Sequence, residues 1–360
     1  MKNLFRRILK FLGYSGAALV ILLAIAVGLF RLLLPKLPAH QEDIKRWADQ
    51  AIGMQVDFSA MNARWRLSGP ELNFYDAALI APGSGEIILE ASEISVGVGL
   101  TRLILDRKLV VDRVLVRGST IDMRHSLDGS VLIQGMSIDD LKNMVPVRME
   151  NTGDIEFIGQ DITVRYQRER NGTHSFRIGL IEMSRDNDEL SIEASLDLPD
   201  EFGSRLDISA DQRIGNGQSA TIWQVYIDGR SLNLPNWSQL QLADTANIAR
   251  GIADISLWME LSKDGLEKAT ANLTVEDLVV EDTQQSAPFD VAGRIEYALT
   301  DNGWLFAVEK FRMQTVDNDW PASSIQIQVE LDADEREVAN IIASASYLML
   351  DDLRYLLPWL

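Results

Sequence analysis

From residue 54 almost to its end, the chain alternates apolar and polar residues with a period of two. Leu190, Ile192, Ala194, Leu196 and Leu198 are interleaved with Ser191, Glu193, Ser195 and Asp197. Leu206, Ile208 and Ala210 stand against Arg205, Asp207, Ser209 and Asp211, and Leu273 and Val275 flank Thr274. Ile325, Ile327, Val329 and Leu331 stand against Gln326, Gln328 and Glu330. Successive side chains of a strand point to opposite faces, so each run predicts a strand with one oily and one wetted face. Asp128-Gly129, Asn171-Gly172, Asn216-Gly217, Asp228-Gly229, Asp264-Gly265 and Asn302-Gly303 punctuate the runs and predict hairpins, hence a mostly antiparallel sheet. A short alternating segment that begins or ends at glycine recurs at 112–118, 154–159, 251–257 and 293–299. No fixed period emerges, which predicts a repetitive sheet and not a strict solenoid. Pattern alone favours a sandwich or barrel, in which a second layer closes over the oily face, above an open groove.

The period differs at the front. Residues 14–34 are apolar apart from Ser15 and Arg31 and match the roughly 20 residues a helix needs to cross hydrocarbon. Lys2, Arg6, Arg7 and Lys10 precede this span and less positive charge follows it. That bias predicts a cytoplasmic segment 1–13, a single-pass anchor 14–34 and a non-cytoplasmic bulk. Arg31 lies near the outer end, where its long stem reaches the headgroups. A cleaved signal peptide has a similar outline. The apolar run exceeds the usual core of about 7 to 15 residues, and Pro35-Lys36-Leu37-Pro38-Ala39 offers no small-x-small cleavage site, so a retained anchor is predicted. In residues 40–52, Ile44, Trp47, Ala48, Ala51 and Ile52 fall at helical spacing, mostly opposite Glu42, Asp43, Lys45, Arg46 and Asp49. This amphipathic helix, stopped by Gly53, packs on the adjoining sheet or plugs its end next to the membrane. Residues 137–144 and 236–250 are further helix candidates, and 351–360 begins like another. Residues 53–360 form the predicted β-rich domain.

Composition removes several kinds of chemistry. The chain has no cysteine, which excludes disulfides, a catalytic thiol and a Cys-based metal site. A formal net charge of −19 argues against a nucleic-acid partner, whose phosphates require a basic stripe. His40, His125 and His174 are isolated in sequence, and none has metal-pair spacing. The acidic run Asp186-Asn187-Asp188-Glu189 lacks the EF-hand spacing for calcium and reads as a solvated turn. Gly97-Val98-Gly99 lies within a strand-like run with no suitable helix start after it, so it is no phosphate loop. Asn171-Gly172-Thr173 and Asn272-Leu273-Thr274 match a glycosylation triplet that recurs by chance. No metal, cofactor or catalytic residue is expected.

Gly53-Met54-Gln55-Val56, Asn62-Ala63-Arg64-Trp65 and Gly69-Pro70-Glu71-Leu72-Asn73-Phe74-Tyr75-Asp76-Ala77 follow the apolar span. In that order they resemble the opening of the AsmA-like proteins of Gram-negative envelopes, most closely the YhdP branch. Gly251-Ile252-Ala253-Asp254-Ile255-Ser256-Leu257-Trp258, Asp301-Asn302-Gly303-Trp304 and Asp319-Trp320-Pro321 are similar to the same branch, so the likeness runs over essentially the whole chain.

The resemblance implies a bridge-like lipid transfer protein. Its fold would be an elongated, curved, mostly antiparallel sheet forming an open, taco-like apolar groove. Its function would be to carry phospholipid between inner and outer membrane, with the anchor in the inner membrane and the bulk of the chain in the periplasm. It reverses the preference for a closed sandwich. YhdP-like chains are several times longer than this one, which implies the membrane-proximal part of a longer protein or a shortened member. Expected partners are phospholipid acyl chains, the inner membrane and envelope proteins. The expected groove lining is Val114, Val116, Ile162, Val164, Leu190, Ile192, Leu206, Ile208, Ile255, Leu257, Leu273, Val275, Ile325 and Ile327. The competing reading is a non-conducting envelope scaffold or assembly factor that binds a protein along an exposed strand edge. A periplasmic hydrolase would require a pocket of perturbed carboxylates or histidines.

Overall fold

The computed structural model describes residues 55–66, 69–81, 87–99, 110–126, 130–137, 155–168, 172–186, 189–214, 221–239, 248–280, 287–332 and 338–355, with isolated positions 28, 42, 45, 46 and 85. The anchor predicted at 14–34 lies outside the described residues, Gly28 apart. The helix predicted at 40–52 does too, except that Glu42, Lys45 and Arg46 are helical. The candidate at 137–144 also lies outside them beyond Ser137, which is in a strand. Among the described residues, no helix is long and apolar enough to cross a membrane. Eighteen strands join in one sheet, and every register resolved between paired strands is antiparallel.

The chain divides into two compact units, and the division falls inside one strand, between Ser119 and Thr120. The first unit holds β1 (Gln55–Asp57), β2 (Ala60–Trp65), β3 (Pro70–Ile80), β4 (Ile87–Val98) and the start of β5 (Val111–His125). Both β1 and β2 pair with β3, then β3 with β4 and β4 with β5. Met61, Phe74, Ile94 and Val116 form one row across it, and Ala63, Leu72, Val96 and Val114 the next. Met61 is part of a small core with Phe58 and Ala77, and the opposite face buries polar groups. Glu71, Asn73 and Ser95 are each 3% exposed, and Glu71 is paired with Arg64 and with Arg66 at 3.1 Å. Gly97 sits against this network, since a Cβ there would lie 2.9 Å from Asp112 Oδ1 and 3.1 Å from Arg66 Nη2.

The second unit continues from the end of β5 through β6 (Val131–Ile133), β7 (Met136–Ser137), β8 (Ile155–Arg168), β9 (Gly172–Asp186), β10 (Glu189–Asp197), β11 (Arg205–Ile214) and β12 (Thr221–Asn233). After the helix α1 (Leu234–Gln239) come β13 (Ile248–Ser262), β14 (Gly265–Val280), β15 (Phe289–Thr300), β16 (Gly303–Gln314), β17 (Ser323–Leu331) and β18 (Val338–Ala345), then a 3-10 turn (Leu350–Tyr355). From β8 to β18 each strand pairs with the next. The turn signals at Asn171-Gly172, Asp264-Gly265 and Asn302-Gly303 lie where hairpins reverse. Asp228-Gly229 does not: it lies inside β12, where a Cβ on Gly229 would meet Leu232 Cδ1 at 2.7 Å and Ile255 Cγ2 at 3.2 Å. That glycine makes room for apolar neighbours. The helix expected over 236–250 is short, and by Ile248 the chain is again a strand.

A recurrent local break bends these strands. At Gly159-Gln160-Asp161-Ile162, Gly229-Arg230-Ser231-Leu232, Val275-Glu276-Asp277-Leu278 and Val308-Glu309-Lys310-Phe311, the third residue has positive φ, between 51° and 58°. The ladder register shifts beside the last three, and at Asp161 the β8–β9 register skips one residue on each strand. Such a bulge adds one residue, increases strand twist and restores the side-chain face beyond it, so residues three apart share a side. Phe74-Tyr75-Asp76-Ala77 has the same form in the first unit, with Asp76 at φ 48°. The freed amide is satisfied across the sheet: Ser231 N donates to Asp254 Oδ1 at 2.7 Å and Asp277 N to Asp290 Oδ1 at 2.7 Å. Glycines of the recurring sequence theme fall beside these breaks, with Gly118 at φ 63° and Gly251 at φ 153°.

On one side of the bulges the apolar face is sealed. Ala253, Val275, Leu278, Val280, Phe289, Phe311, Met313 and Trp320 form a core, with Leu234, Tyr347 and Met349 packed against it. Trp320 is 1% exposed and donates its indole N–H to Asp352 Oδ2 at 2.8 Å. A second core joins Tyr166, Leu198 and Phe202, covered by Trp237 of α1, whose indole donates to the Phe202 carbonyl at 2.8 Å.

At Gly303, φ is 152° and a Cβ would lie 1.9 Å from the Val329 carbonyl oxygen, a backbone atom that has no rotamer to yield. Gly303→Ala is expected to destabilise the protein by roughly 2–4 kcal/mol, because both strain and overlap enter at once. Thermal unfolding followed by circular dichroism reads this directly, and an unchanged midpoint would contradict the β15–β16 hairpin geometry.

Candidate functional site

On the other side of the bulges the apolar face has no comparable cover among the described residues. Cross-strand partners share a face, so the register can be followed from strand to strand. One row runs Gly159, Ile181, Ala194, Ile208, Ile227, Leu257, Ala271, Ile295, Val308, Ile325 and Ala345. The next runs Phe157, Met183, Ile192, Ala210, Val225, Met259, Ala269, Tyr297, Phe306, Ile327 and Ala343. Every member is apolar in body. From β8 to β17 all of them are half-buried, and on β18 they are exposed. Half-burial is what neighbouring side chains on one sheet give each other without a second layer. Beyond the second row, Arg185 and Gln212 stand beside Leu190 and Trp223, so polar groups return at the margin.

The opposite face carries the polar partners. Asp228 accepts from Ser256 Oγ at 2.6 Å, from Arg230 Nε and Nη2 at 2.9 Å each and from Tyr226 OH at 3.3 Å. Ser191 Oγ donates to Asp211 at 2.7 Å. The Asp207 carboxyl is held below its usual range by a hydrogen bond from Arg205, which outweighs the opposing effect of burial. These contacts keep charge on the wet side and none reaches the apolar rows.

Twelve of the expected lining residues lie in the second unit and share this apolar face. Val164, Leu190, Ile192, Ile208, Ile255, Leu257, Ile325 and Ile327 are half-buried there. Leu206 and Leu273 are also half-buried but pack against the sealed cores. Ile162 and Val275 are each 4% exposed, and Val275 is a core residue, so these two offer no open surface. Val114 and Val116 are half-buried in the first unit, beside Val96 and Ile94. Ile181, Met183, Val225, Ile227, Met259, Ile295, Tyr297, Phe306 and Val308 were not on the expected list. Their signal was present as alternation, blurred by Tyr226 and Trp258 on the polar face and by the bulge at Lys310.

The two described histidines contact aromatic neighbours. His125 Nδ1 lies 2.9 Å from Tyr166 OH, and His174 stacks edge-on against Phe202 with 5.0 Å between ring centroids. His40 lies outside the described residues. Asp186 and Glu189 close the β9–β10 hairpin, and the two residues between them lie outside the described set. Among the described residues no group of three or more His, Asp or Glu side chains is placed to hold a metal.

A family model described as YhdP protein matches residues 1–360. The intermembrane phospholipid transporter YhdP of Escherichia coli (strain K12) is 23% identical over 350 residues, which cover 89% of this chain and 25% of that protein. The chain therefore spans about a quarter of the length of this curated relative. No solved structure gives a significant match.

An uncovered apolar face binds hydrophobic probes in the folded state. The folded protein is expected to enhance the fluorescence of an apolar dye such as anilinonaphthalene sulfonate, and Leu257→Asp with Ile327→Asp to reduce that signal several-fold at unchanged β-sheet content. Equal dye binding by the double variant would mean that this face is covered in solution.

Proposed function

The chain belongs to the YhdP family, and from that premise we propose that the apolar face of β8 to β18 holds phospholipid by its acyl chains, as part of a route between the inner and outer membranes. The observation that carries this reading is the pair of apolar rows that run across eleven consecutive strands without a covering layer among the described residues. At about 4.8 Å per strand, the rows extend roughly 50 Å.

Acyl chains cost about 0.8 kcal/mol for each CH₂ drawn into water, so moving a two-chain lipid unaided is prohibitive by roughly 20 kcal/mol or more. A trough of repeated apolar positions removes most of that cost. Because adjacent strands offer similar side chains, no position is a deep trap and a lipid can slide between them. Headgroups stay wet at the margin where Arg185 and Gln212 stand, which avoids burying charge. The sheet then forms an open curved groove, anchored in the inner membrane by residues 14–34, with residues 53–360 in the periplasm. Similarity to a phospholipid transporter supports phospholipid as the cargo. The protein is not an enzyme, a statement that rests on its family.

A second reading draws on β18. All eight of its residues are exposed, with Ile341 at 61% and Ile342 at 50%, and among the described residues it pairs only with β17. Such an edge suits pairing with a strand of an envelope protein.

Photo-crosslinking in cells separates the two readings. With a photoreactive residue at Leu257 or Ile327, labelled phospholipid is expected to crosslink, and at Ser256 or Gln326, one residue along and on the opposite face, it is not. Phospholipid is also expected in mass spectra of the detergent-purified protein. Equal labelling on both faces, or no copurifying phospholipid together with protein adducts along β18, would sink the conduit and favour the scaffold.

A further inference from the structure

The polar face of the second unit carries a concavity of about 430 Å³, lined by side chains of β11 to β15. That volume lies in the usual range for small-molecule sites. Its floor is an aromatic pair. Tyr226 and Trp258 are direct cross-strand partners with 5.1 Å between ring centroids and 36° between planes. Trp258 is 42% exposed. A large aromatic residue at a position where the alternation calls for a polar one gains little by burial, and this one leaves its ring accessible to a ligand.

Around the pair stand Gln224, Glu260, Lys268 and Thr270, and none of their side chains makes a hydrogen bond or ion pair with another described residue. The Trp258 indole N–H is equally unengaged among the described residues. The site thus offers donors in Lys268 and the indole, an acceptor in Glu260, and groups that do both in Gln224 and Thr270. The charged lining balances, Asp211 and Glu260 against Lys268 and Arg294. The site is made for a neutral ligand with many hydroxyls and a flat C–H face.

We propose that this concavity is a saccharide-binding site, in which a pyranose ring stacks on Trp258 while its hydroxyls bond to Gln224, Glu260 and Lys268. An aromatic ring is amphipathic enough to take the C–H face of a sugar, and the surrounding unpaired groups are oriented by the sheet before the ligand arrives. An extended peptide fits less well, because β11 to β15 are internal strands whose backbone groups are already paired on both sides. The proposed acyl-chain rows lie on the other face of the sheet from Trp258, and of their members Val225 and Met259 alone border the concavity.

The test is isothermal titration of the detergent-solubilised full chain with maltotriose and with tri-N-acetylchitotriose, repeated with a proline-rich peptide. Saturable binding of at least one sugar is expected, weakened about tenfold or more by Trp258→Ala and less by Trp258→Phe. Circular dichroism and the yield of copurifying phospholipid are expected to be unchanged in both variants, since Trp258 lies on the wet face. Failure of both sugars to bind saturably, sugar binding that survives Trp258→Ala, or Trp258-dependent binding of the peptide alone would each overturn the assignment.

Discussion

Cross-strand register is the constraint on which the rest of this structure depends. With a side-chain period of two, a slip of one residue between neighbours would send a whole strand's oily side chains into the wetted face. Eleven strands in succession, β8 to β18, keep the same parity, so that Ile181, Ile208, Leu257, Ile295 and Ile325 stand in one line. The bulges at Asp161, Ser231, Asp277 and Lys310 do not break that line. Each inserts a left-handed residue and resumes the alternation on the same face, and two of the freed amides are met by Asp254 and Asp290 of the adjoining strand. A carboxylate that accepts from a backbone amide makes a charge-assisted bond, which helps to hold a strained backbone position.

The bulges also separate two treatments of the same oily surface. On one side, α1, the Trp320 segment and the turn near Asp352 cover the face with aromatic side chains, and two cores result. On the other side, among the described residues, the rows receive no cover beyond their own neighbours. Burial of this partial kind stabilises less per residue than full burial, so the sealed margin carries much of the stability while the open rows remain free to meet a ligand. The first unit shows a third arrangement, in which Glu71, Asn73 and Ser95 are buried on the face opposite a small apolar core, with Arg66 and Asp112 beside them.

The two faces of the second unit are chemically unlike enough to serve different ligands. The proposed lipid rows lie where alternation is cleanest. The proposed saccharide site lies where Tyr226 and Trp258 interrupt it. Both capacities arise from one ladder, because moving a single residue along a strand exchanges one surface for the other.

Alternation, hairpin turns and the absence of catalytic motifs were legible in the residues alone, because a period of two is local and needs no knowledge of partners. The order of motifs after the apolar front segment pointed to the family for the same reason. The bulges were written there too, as apolar residues three apart around two polar ones, in Val275-Glu276-Asp277-Leu278 and Val308-Glu309-Lys310-Phe311. Without a partner strand, such a gap cannot be told from a turn, and Asp228-Gly229 shows the converse error. Tertiary structure alone decided which part of the oily face is closed. Val275 and Leu257 look alike in sequence, yet one shares a core with Trp320 and Phe311 and the other has no described residue packed over it, since cover comes from segments distant along the chain.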